Sequence, residues 1–368
     1  MSITLSELAD RLGATFSGNG SLVISHVCGL SNLSAGGLGY LTAKQNIDHV
    51  PIPAMLANEI GRGLQGLDQQ VAMIVHHDMQ SPEHNLIYAD DPLDLHVKAA
   101  QLLHPKTIKN RGAIHPTAVI GENVKLGNNV TIAPHVVIYD NVSIGDDTVL
   151  QAGVVVMEHC HIGSHGLIYP NVVIRENCHI GDRVVIHCNA VIGADGHGYY
   201  QRDGANKKLP QVGQVIIGDD VEIGSCTTID RGRLESTIIG DGCKLDNQVQ
   251  IGHNVELGPH ALISGQSAIG GSTKIGHHLI MGGQSGVRDH IELGDYVTAV
   301  TRAAVVSKTP DKAVVAGMPS RPLKEWRMMQ AQLNRLDDFY KRLRQLEKLM
   351  AAPAGLSNNQ PNPRQSEV

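Results

Sequence analysis

The sequence is poor in aromatic residues, with one Trp and two Phe among 368 residues. A chain with so few large rings must build its core from many small aliphatic side chains instead. Glycine is abundant, at 40 residues, and glycine permits tight turns without a steric clash at Cβ. Together these features favour a repeat architecture in which short segments stack on one another.

Other absences disfavour several functional classes. The formal net charge is −6 and there is no long basic run, which argues against nucleic acid as the main partner. The six cysteines form no C-x-x-C pair, so a zinc ribbon or a dithiol redox motif is not expected. No window approaches the ~18 apolar residues of a membrane span, and the start, MSITLSELADRLG, lacks the features of a secretory signal. We therefore expect a cytoplasmic protein with no membrane span.

The dominant pattern is an aliphatic residue at every sixth position. It runs without a miss from Ile114 to Ile192, breaks at ADGHGYYQRDGANKKLPQ, resumes from Ile217 to Ile229, slips across RGRLES and continues from Ile239 to Leu293. A period of six is neither that of a helix nor that of a simple strand. It predicts a parallel β-helix in which each hexapeptide supplies one short strand and its corner.

Three hexapeptides make a coil of 18 residues, and successive coils stack about 4.8 Å apart as neighbouring strands do. Cys160 and Cys178 should therefore lie one above the other, as a ladder of small side chains and not as a disulfide. An insertion in such a solenoid has to leave the coil, so 194–211 is predicted to protrude as a polar, Gly-rich loop.

The sequence divides into four parts. Residues 1–105 mix helical stretches (TLSELADRL, DDPLDLHVKAAQLLH) with the strand-like run VAMIVHH and predict a small α/β domain; 106–318 are the β-helix. Residues 319–351 carry apolar positions at alternating spacings of three and four, which predict one helix of roughly 28 residues. Its surplus of basic residues indicates either a solvated face or a dock for an acidic protein. Residues 352–368 are expected to be disordered.

Several long strings carry a closer resemblance. LIYPNVVIRENCHIGDRVVIH, GADGHGYY, LPQVGQVIIGDDVEIGSCTTIDRG and TIIGDGCKLDNQVQIGHNVELG occur in the order typical of one family. Over about residues 105–326 the chain resembles the UDP-3-O-acylglucosamine N-acyltransferases of lipid A biosynthesis, within the hexapeptide-repeat acyltransferases. The resemblance implies a left-handed β-helix, mainly β overall, with a small N-terminal α/β domain and a C-terminal helical segment.

The same resemblance implies a reaction and its partners. A homotrimer would transfer a 3-hydroxyacyl chain from acyl carrier protein to the 2-amino group of a UDP-linked, 3-O-acylated glucosamine, with no cofactor and no metal. A sugar amine needs a base as the C–N bond forms, and histidine is matched to neutral pH. His253, in LDNQVQIGHN, fits the family's general base; Asp246 is expected to orient it, and Asn247 to bind substrate. His290 follows His253 by 37 residues, so both should share a face about 10 Å apart, where His290 would bind phosphate or the acyl carbonyl.

The N-terminal segment departs from the family. GGLGYLTAKQN corresponds to its uridine-binding stretch: Tyr40 keeps an aromatic residue, but Ala43 and Asn46 stand where the family has Asn and Tyr. This leaves open whether the pocket selects UDP. His197 stands where the family usually has Phe, and we expect it to be solvated.

Three other interpretations remain open. A related enzyme would transfer the acyl chain to oxygen, on UDP-N-acetylglucosamine. A trimeric β-helix metalloenzyme would hold zinc through histidines, but no two of the 20 histidines have the five-residue spacing of the γ-class carbonic anhydrases. In a scaffold, the solenoid would only space two binding modules.

Overall fold

The computed structural model describes residues 2–41, 69–79, 81, 84–105, 111–317 and 323–351. The chain divides into two compact units, Met1–Lys109 and Asn110–Val368. Ala43, Asn46 and the tail 352–368 lie outside the described residues.

The N-terminal unit is a mixed α/β fold. Its described elements are β1 (Ile3–Thr4), α1 (Leu5–Leu12), β2 (Thr15–Ser17), β3 (Val23–Ile24), β4 (His26–Val27), a 3₁₀ turn (Leu30–Asn32), β5 (Gly37–Tyr40), β6 (Ala72–His76), β7 (Asn85–Ala89) and α2 (Pro92–Leu103). The main sheet has the order β2-β7-β6-β5-β4, with β2 antiparallel to β7 and the other pairs parallel. β1 pairs separately with β3.

Both N-terminal helices begin at side chains that satisfy their first free N–H groups. The hydroxyl of Thr4 accepts from Glu7 N, and the carboxylate of Asp91 accepts from Leu93 N and Asp94 N. Their apolar faces pack on the sheet, in a core that includes Leu5, Leu8, Leu38, Ile74, Ile87, Ala99 and Leu103. The two helices and the strand predicted from VAMIVHH are confirmed.

The second unit contains a parallel β-helix with three faces, which confirms the predicted mainly β fold class. Face 1 is made of Val119–Ile120, Val137–Ile138, Val155–Val156, Val173–Ile174, Val191–Ala194, Thr228–Asp230, Gln250–Ile251, Ala268–Ile269, Gly286–Val287 and Ala304–Val305. Face 2 is made of Lys125–Leu126, Ser143–Ile144, His161–Ile162, His179–Ile180, Gln214–Ile217, Ser236–Ile239, Glu256–Leu257, Lys274–Ile275 and Glu292–Leu293. Face 3 is made of Thr131–Ile132, Val149–Leu150, Leu167–Ile168, Val185–Ile186, Glu222–Ile223, Lys244–Leu245, Leu262–Ile263, Ile280–Met281, Thr298–Ala299 and Val314–Val315.

The six-residue period fixes which side chain points inward. Ile144 pairs with Ile162, and Ile162 with Ile180, so equivalent residues stack 18 positions apart. From Ile132 to Val305 the inward aliphatic side chains are buried and form one continuous core. Ile114 and Ile120, in the first coil, are exposed. Burial of the inward side chains from Ile132 to Val305 supplies the main favourable free energy of folding of this unit.

The corners use two different devices. A residue with positive φ turns the chain, and it is often Asn, Asp or His, as at Asn171 (φ 61°) and Asn254 (φ 58°). The glycine that follows many inward residues has a different role, which is close approach between coils. A Cβ on Gly145 would lie 2.6 Å from Ser164 N in the next coil. Small residues are therefore needed where coils touch.

The predicted insertion protrudes as a β-hairpin. Tyr199–Arg202 and Ala205–Lys208 pair antiparallel, and all eight residues are exposed. The coil continues beyond it in register, since His179 pairs with Ile216. Cys160 and Cys178 are both buried and unbridged, which confirms the cysteine ladder.

The prediction of one C-terminal helix is wrong. The chain forms α3 (Leu323–Leu333) and α4 (Leu336–Ala351), separated by a turn at 334–335. Within the described part of this segment the apolar stripe is exposed, including Leu336, Tyr340, Leu343 and Leu349. No described helix is long and apolar enough to cross a membrane.

Candidate active site

His253 lies at the corner where face 1 passes into face 2, directly after the strand Gln250–Ile251. The ring is half-buried, and its Nδ1 lies 3.1 Å from the amide oxygen of Asn254. That oxygen also accepts from Arg233 N at 3.0 Å, and Asn254 N donates to the hydroxyl of Thr237 at 2.9 Å. Because the Asn254 oxygen can only accept, Nδ1 carries the ring proton and Nε2 carries the lone pair. A neutral ring in this tautomer is suited to take a proton at Nε2.

Two glycines leave room for this ring. A Cβ on Gly271, one coil beyond His253, would lie 2.7 Å from Nε2, and a Cβ on Gly196 would lie 2.6 Å from the Cβ of His253. Gly196 belongs to the segment that enters the hairpin. The imidazole is thus enclosed by backbone on two sides, and any larger residue at either position would displace it.

Asp246 does not contact His253 within the chain, contrary to the expectation that it orients the ring. Its carboxylate accepts from Gly265 N at 2.9 Å and from Asn247 N at 2.7 Å. The reason is topological, because Asp246 and Asn247 precede the strand Gln250–Ile251 and His253 follows it. The two groups therefore occupy opposite ends of one face. The side chain that holds the His253 ring is Asn254, which the sequence analysis did not single out.

Asp246 and Asn247 instead line a groove of about 520 Å³ at the corner between faces 3 and 1. Its other lining residues are His187, Glu222, Gly224, Lys244, Leu245, Leu262, Ile263 and Ser264. His187 and Glu222 are paired at 3.0 Å, and Asn247 Oδ1 accepts from Ser225 N. The groove combines charged groups with exposed aliphatic carbon at Leu262, so it suits an amphipathic ligand.

His290 lies at the same edge of the solenoid as His253. The strands that precede them, Gln250–Ile251 and Gly286–Val287, belong to face 1 and are separated by the single strand Ala268–Ile269. His290 is exposed, has φ 55° and donates its backbone N–H to Gly271 O. The expected placement two coils apart on a shared edge is therefore observed.

Tyr40 lies in the N-terminal unit, at the end of β5. Its ring is 4.7 Å from that of His96 on α2. His96 Nε2 lies 3.1 Å from the carbonyl oxygen of Leu38, and burial lowers the pKa of this histidine. Of the predicted uridine-binding segment, only the part up to Leu41 is among the described residues.

A chain of charged groups ties the hairpin to the solenoid beside His253. The guanidinium of Arg231, which is 3% exposed, donates to Gly193 O, to Glu176 O and to the carboxylate of Glu176. Arg175 links Glu176 to Asp195, and Asp195 also pairs with Lys208 of the hairpin. The base of the insertion is thus held by paired charges. His197, in contrast, is exposed and contacts only the ring of Tyr199 among the described aromatic groups.

Asp230 is a second carboxylate that the sequence analysis missed. It ends the strand Thr228–Asp230, which pairs with Gln250–Ile251, and so it lies beside the corner that carries His253. Burial raises the pKa of Asp230 to about 6, against the opposing effects of a hydrogen bond from Gln250 and the nearby His253. The count from Asp230 to His253 is 23 residues because RGRLES lengthens this coil. Asp230 and His253 can be placed side by side from the sequence only when the break in the six-residue period at RGRLES is taken into account.

Histidines also cluster on face 2. His161 and His179 stack with ring centroids 4.5 Å apart, and burial together with His179 lowers the pKa of His161. They line a cavity of about 440 Å³ with His159, Asn177, Cys178, Gln214 and Ile216. Within one chain, the described residues include no group of three or more His, Cys, Asp or Glu side chains arranged to hold a metal ion.

Comparison with known families identifies the repeat. Residues 236–271, which include Asp246, Asn247 and His253, match the bacterial transferase hexapeptide (six repeats). Residues 108–195 match a second model, the C-terminal domain of GMPPB.

Several solved structures are similar to part of the chain. A UDP-N-acetylglucosamine O-acyltransferase from Moraxella catarrhalis is 25% identical over 62% of this chain and 83% of its own, with a TM-score of 0.41. The UDP-N-acetylglucosamine acyltransferase of Francisella novicida is 24% identical over 62% and 79%, with a TM-score of 0.42. That of Campylobacter jejuni is 20% identical over 62% and 83%, with a TM-score of 0.43.

Proposed function

We propose that this protein is a cytoplasmic N-acyltransferase that transfers a 3-hydroxyacyl chain from acyl carrier protein to UDP-3-O-(3-hydroxyacyl)glucosamine. The acceptor is the 2-amino group, and the product is the UDP-2,3-diacylglucosamine of lipid A biosynthesis. The observation that carries the proposal is the His253 ring, fixed by Asn254 with its Nε2 lone pair free, within a hexapeptide-transferase repeat. The strings LDNQVQIGHN and TTIDRG support amide over ester formation by their resemblance to the N-acyltransferases.

In the proposed step the sugar nitrogen attacks the thioester carbonyl carbon while His253 Nε2 takes a proton from that nitrogen. The tetrahedral intermediate then collapses, the C–S bond breaks, and the leaving thiolate takes the proton from the imidazolium. Asn254 keeps the ring in the productive tautomer throughout. Removing a general base of this kind costs roughly 10²–10⁴ in rate.

The oxyanion of the intermediate needs a hydrogen-bond donor near Nε2. The backbone N–H of Gly271 is suitably located, since this residue lies against the His253 ring. Among the described residues it donates to no other acceptor. We assign this N–H as the oxyanion donor of the proposed reaction.

A homotrimer would bring the separated groups together. His253 and the pair Asp246–Asn247 lie at different corners of the same chain, so a single chain presents two half-sites. In a cyclic trimer the interface is heterologous, and the His253 corner of one chain faces a different corner of the next. We propose that the next chain contributes Asp246, Asn247 and the groove that binds the UDP-sugar lipid. His290 would then bind phosphate or the acyl carbonyl at the His253 edge, and Tyr40 would contact the uracil.

Mixed trimers test the shared site directly. Trimers made from equal amounts of the His253→Ala and Asp246→Ala chains are expected to recover about one quarter of wild-type turnover, because an ordered pair of competent neighbours forms with that frequency in a cyclic trimer. Each variant alone should be nearly inactive. If mixing restores nothing while both variants remain folded trimers, the groups do not act across an interface.

The choice of acceptor distinguishes the proposed enzyme from its alternatives. Purified protein should form an amide with the glucosamine acceptor and no ester with UDP-N-acetylglucosamine. Ester formation would identify an O-acyltransferase, and stoichiometric zinc in elemental analysis would favour a metalloenzyme. A scaffold would retain its function with Ala at position 253, whereas the acyltransferase should lose most of its turnover without unfolding.

A further inference from the structure

Asp230 lies on the strand between the segment that leads to Gly196 and the strand that leads into His253. On one side its strand pairs with Gln250–Ile251, which leads into His253. On the other side Asp230 pairs with Ala194, two residues before Gly196. Gly196 contacts His253, and the charge of His253 acts on Asp230, so the carboxyl group lies near the imidazole. The proposed reaction steps assign no role to Asp230.

The charged groups around Asp230 leave it without a permanent cation. Arg231 is the next residue, but its guanidinium is held by Gly193 and Glu176. Asp195, which is close enough to oppose ionisation of Asp230, has its own cations.

Those cations are Arg175 and Lys208, and both are paired with Asp195. Within the described residues Asp230 forms no salt bridge with Lys or Arg, and it accepts a hydrogen bond from the uncharged side chain of Gln250. His253 is therefore the neighbouring group whose charge can change to match that of Asp230.

We infer that Asp230 is the carboxylate that stabilises the imidazolium formed on His253. The inference rests on the proposed function. Asp230 takes no proton itself: the proton moves from the sugar nitrogen to Nε2 and then to the leaving sulfur, while the carboxylate stays ionised and balances the charge on the ring. It acts through His253 and is thus a positioning residue, not a catalytic one.

The first test is kinetic. Asp230→Asn keeps the shape of the side chain and removes its charge. It should lower kcat on the order of 10²-fold, the scale of general-base catalysis, and change KM little. The acid limb of the pH–rate profile should move to lower pH, because the ring loses its counter-charge. Asp203→Asn removes the same charge at the exposed hairpin tip and should leave kcat and the profile unchanged.

The second test does not depend on acyl transfer. Diethyl pyrocarbonate modifies neutral imidazole, and peptide mass spectrometry resolves position 253 from the other histidines. At pH 7, where the Asp230 carboxyl is mostly ionised, Asp230→Asn should raise the modification rate at His253 several-fold, and Asp203→Asn should not. Equal rates in wild type and Asp230→Asn would overturn the inference even if the enzyme is active. A faster rate in a protein without acyltransferase activity would uphold the pairing and overturn the proposed function. Unchanged kcat in an active Asp230→Asn enzyme would also overturn the inference about Asp230.

Discussion

Replacing Gly271 by Ala tests whether the exact position of the His253 ring matters. The added Cβ would lie 2.7 Å from Nε2, 2.8 Å from Cε1 and 3.0 Å from Cδ2. Non-bonded heavy atoms settle at about 3.5–4.0 Å, so the ring has to retreat by roughly 0.8 Å or more. Gly271 is not among the positive-φ residues, so Ala itself fits the backbone. The atoms nearest to the added methyl group are therefore those of the imidazole.

A displacement of about 1 Å in a reacting group costs on the order of 10²-fold in rate. Gly271→Ala should therefore lower kcat about 10²-fold, with KM for both substrates nearly unchanged. Because the half-buried ring can move toward solvent, the melting temperature should change little. The assay is initial-rate kinetics with the acyl-carrier-protein thioester, accompanied by thermal unfolding.

Gly317→Ala is the matched control. The nearest atom to a Cβ at Gly317 is 3.8 Å away, so this substitution introduces a methyl group without a clash. It should retain wild-type kcat. If Gly271→Ala also keeps kcat within about threefold while its crystal structure shows a displaced ring, the general-base role of His253 is refuted.

Three further predictions concern charge. Arg231→Met should lower the free energy of unfolding by about 1–3 kcal/mol in urea denaturation, because the carbonyl oxygens of Gly193 and Glu176 lose their donor; an unchanged free energy of unfolding would contradict this. Asp230→Asn should stabilise the fold at pH 7.5 by about 1 kcal/mol, discounted for partial exposure, and have no effect near pH 4. The pKa of this carboxyl is raised to about 6 in the folded state, so its contribution to wild-type stability falls as pH rises from about 4 to 6. Equal stability of the variant and the wild type at pH 7.5 would contradict this prediction. Arg342→Glu with Arg344→Glu should raise KM for acyl carrier protein and spare the fold, and an unchanged KM would exclude docking on α4.

The sequence was sufficient to predict the β-helix because one physical requirement repeats in every coil. Each inward position must be aliphatic, so a shift of one residue would bury polar groups, and the period is visible by counting. The same count placed His253 and His290 on one edge. It also identified 194–211 as an insertion, since that stretch interrupts the period.

The contacts around His253 were harder to predict because they join segments with irregular spacing. Asp246 is close to His253 in sequence but is separated from it by the width of a face, whereas Asp230 is distant in sequence and adjacent in space. The break at Asn334–Arg335 is marked by neither Gly nor Pro, and the apolar spacing continues through it. Nothing in the described structure explains that break.

The way the hairpin joins the solenoid has a consequence for how such proteins diversify. His179 and Ile216 are paired neighbours although they are 37 positions apart in the sequence instead of the usual 18. The strands on either side of the insertion pair with each other regardless of the length of the hairpin. Evolution, or a protein engineer, can therefore lengthen, shorten or exchange the hairpin as a cassette, altering what reaches the imidazole while the column of coils stays as it is.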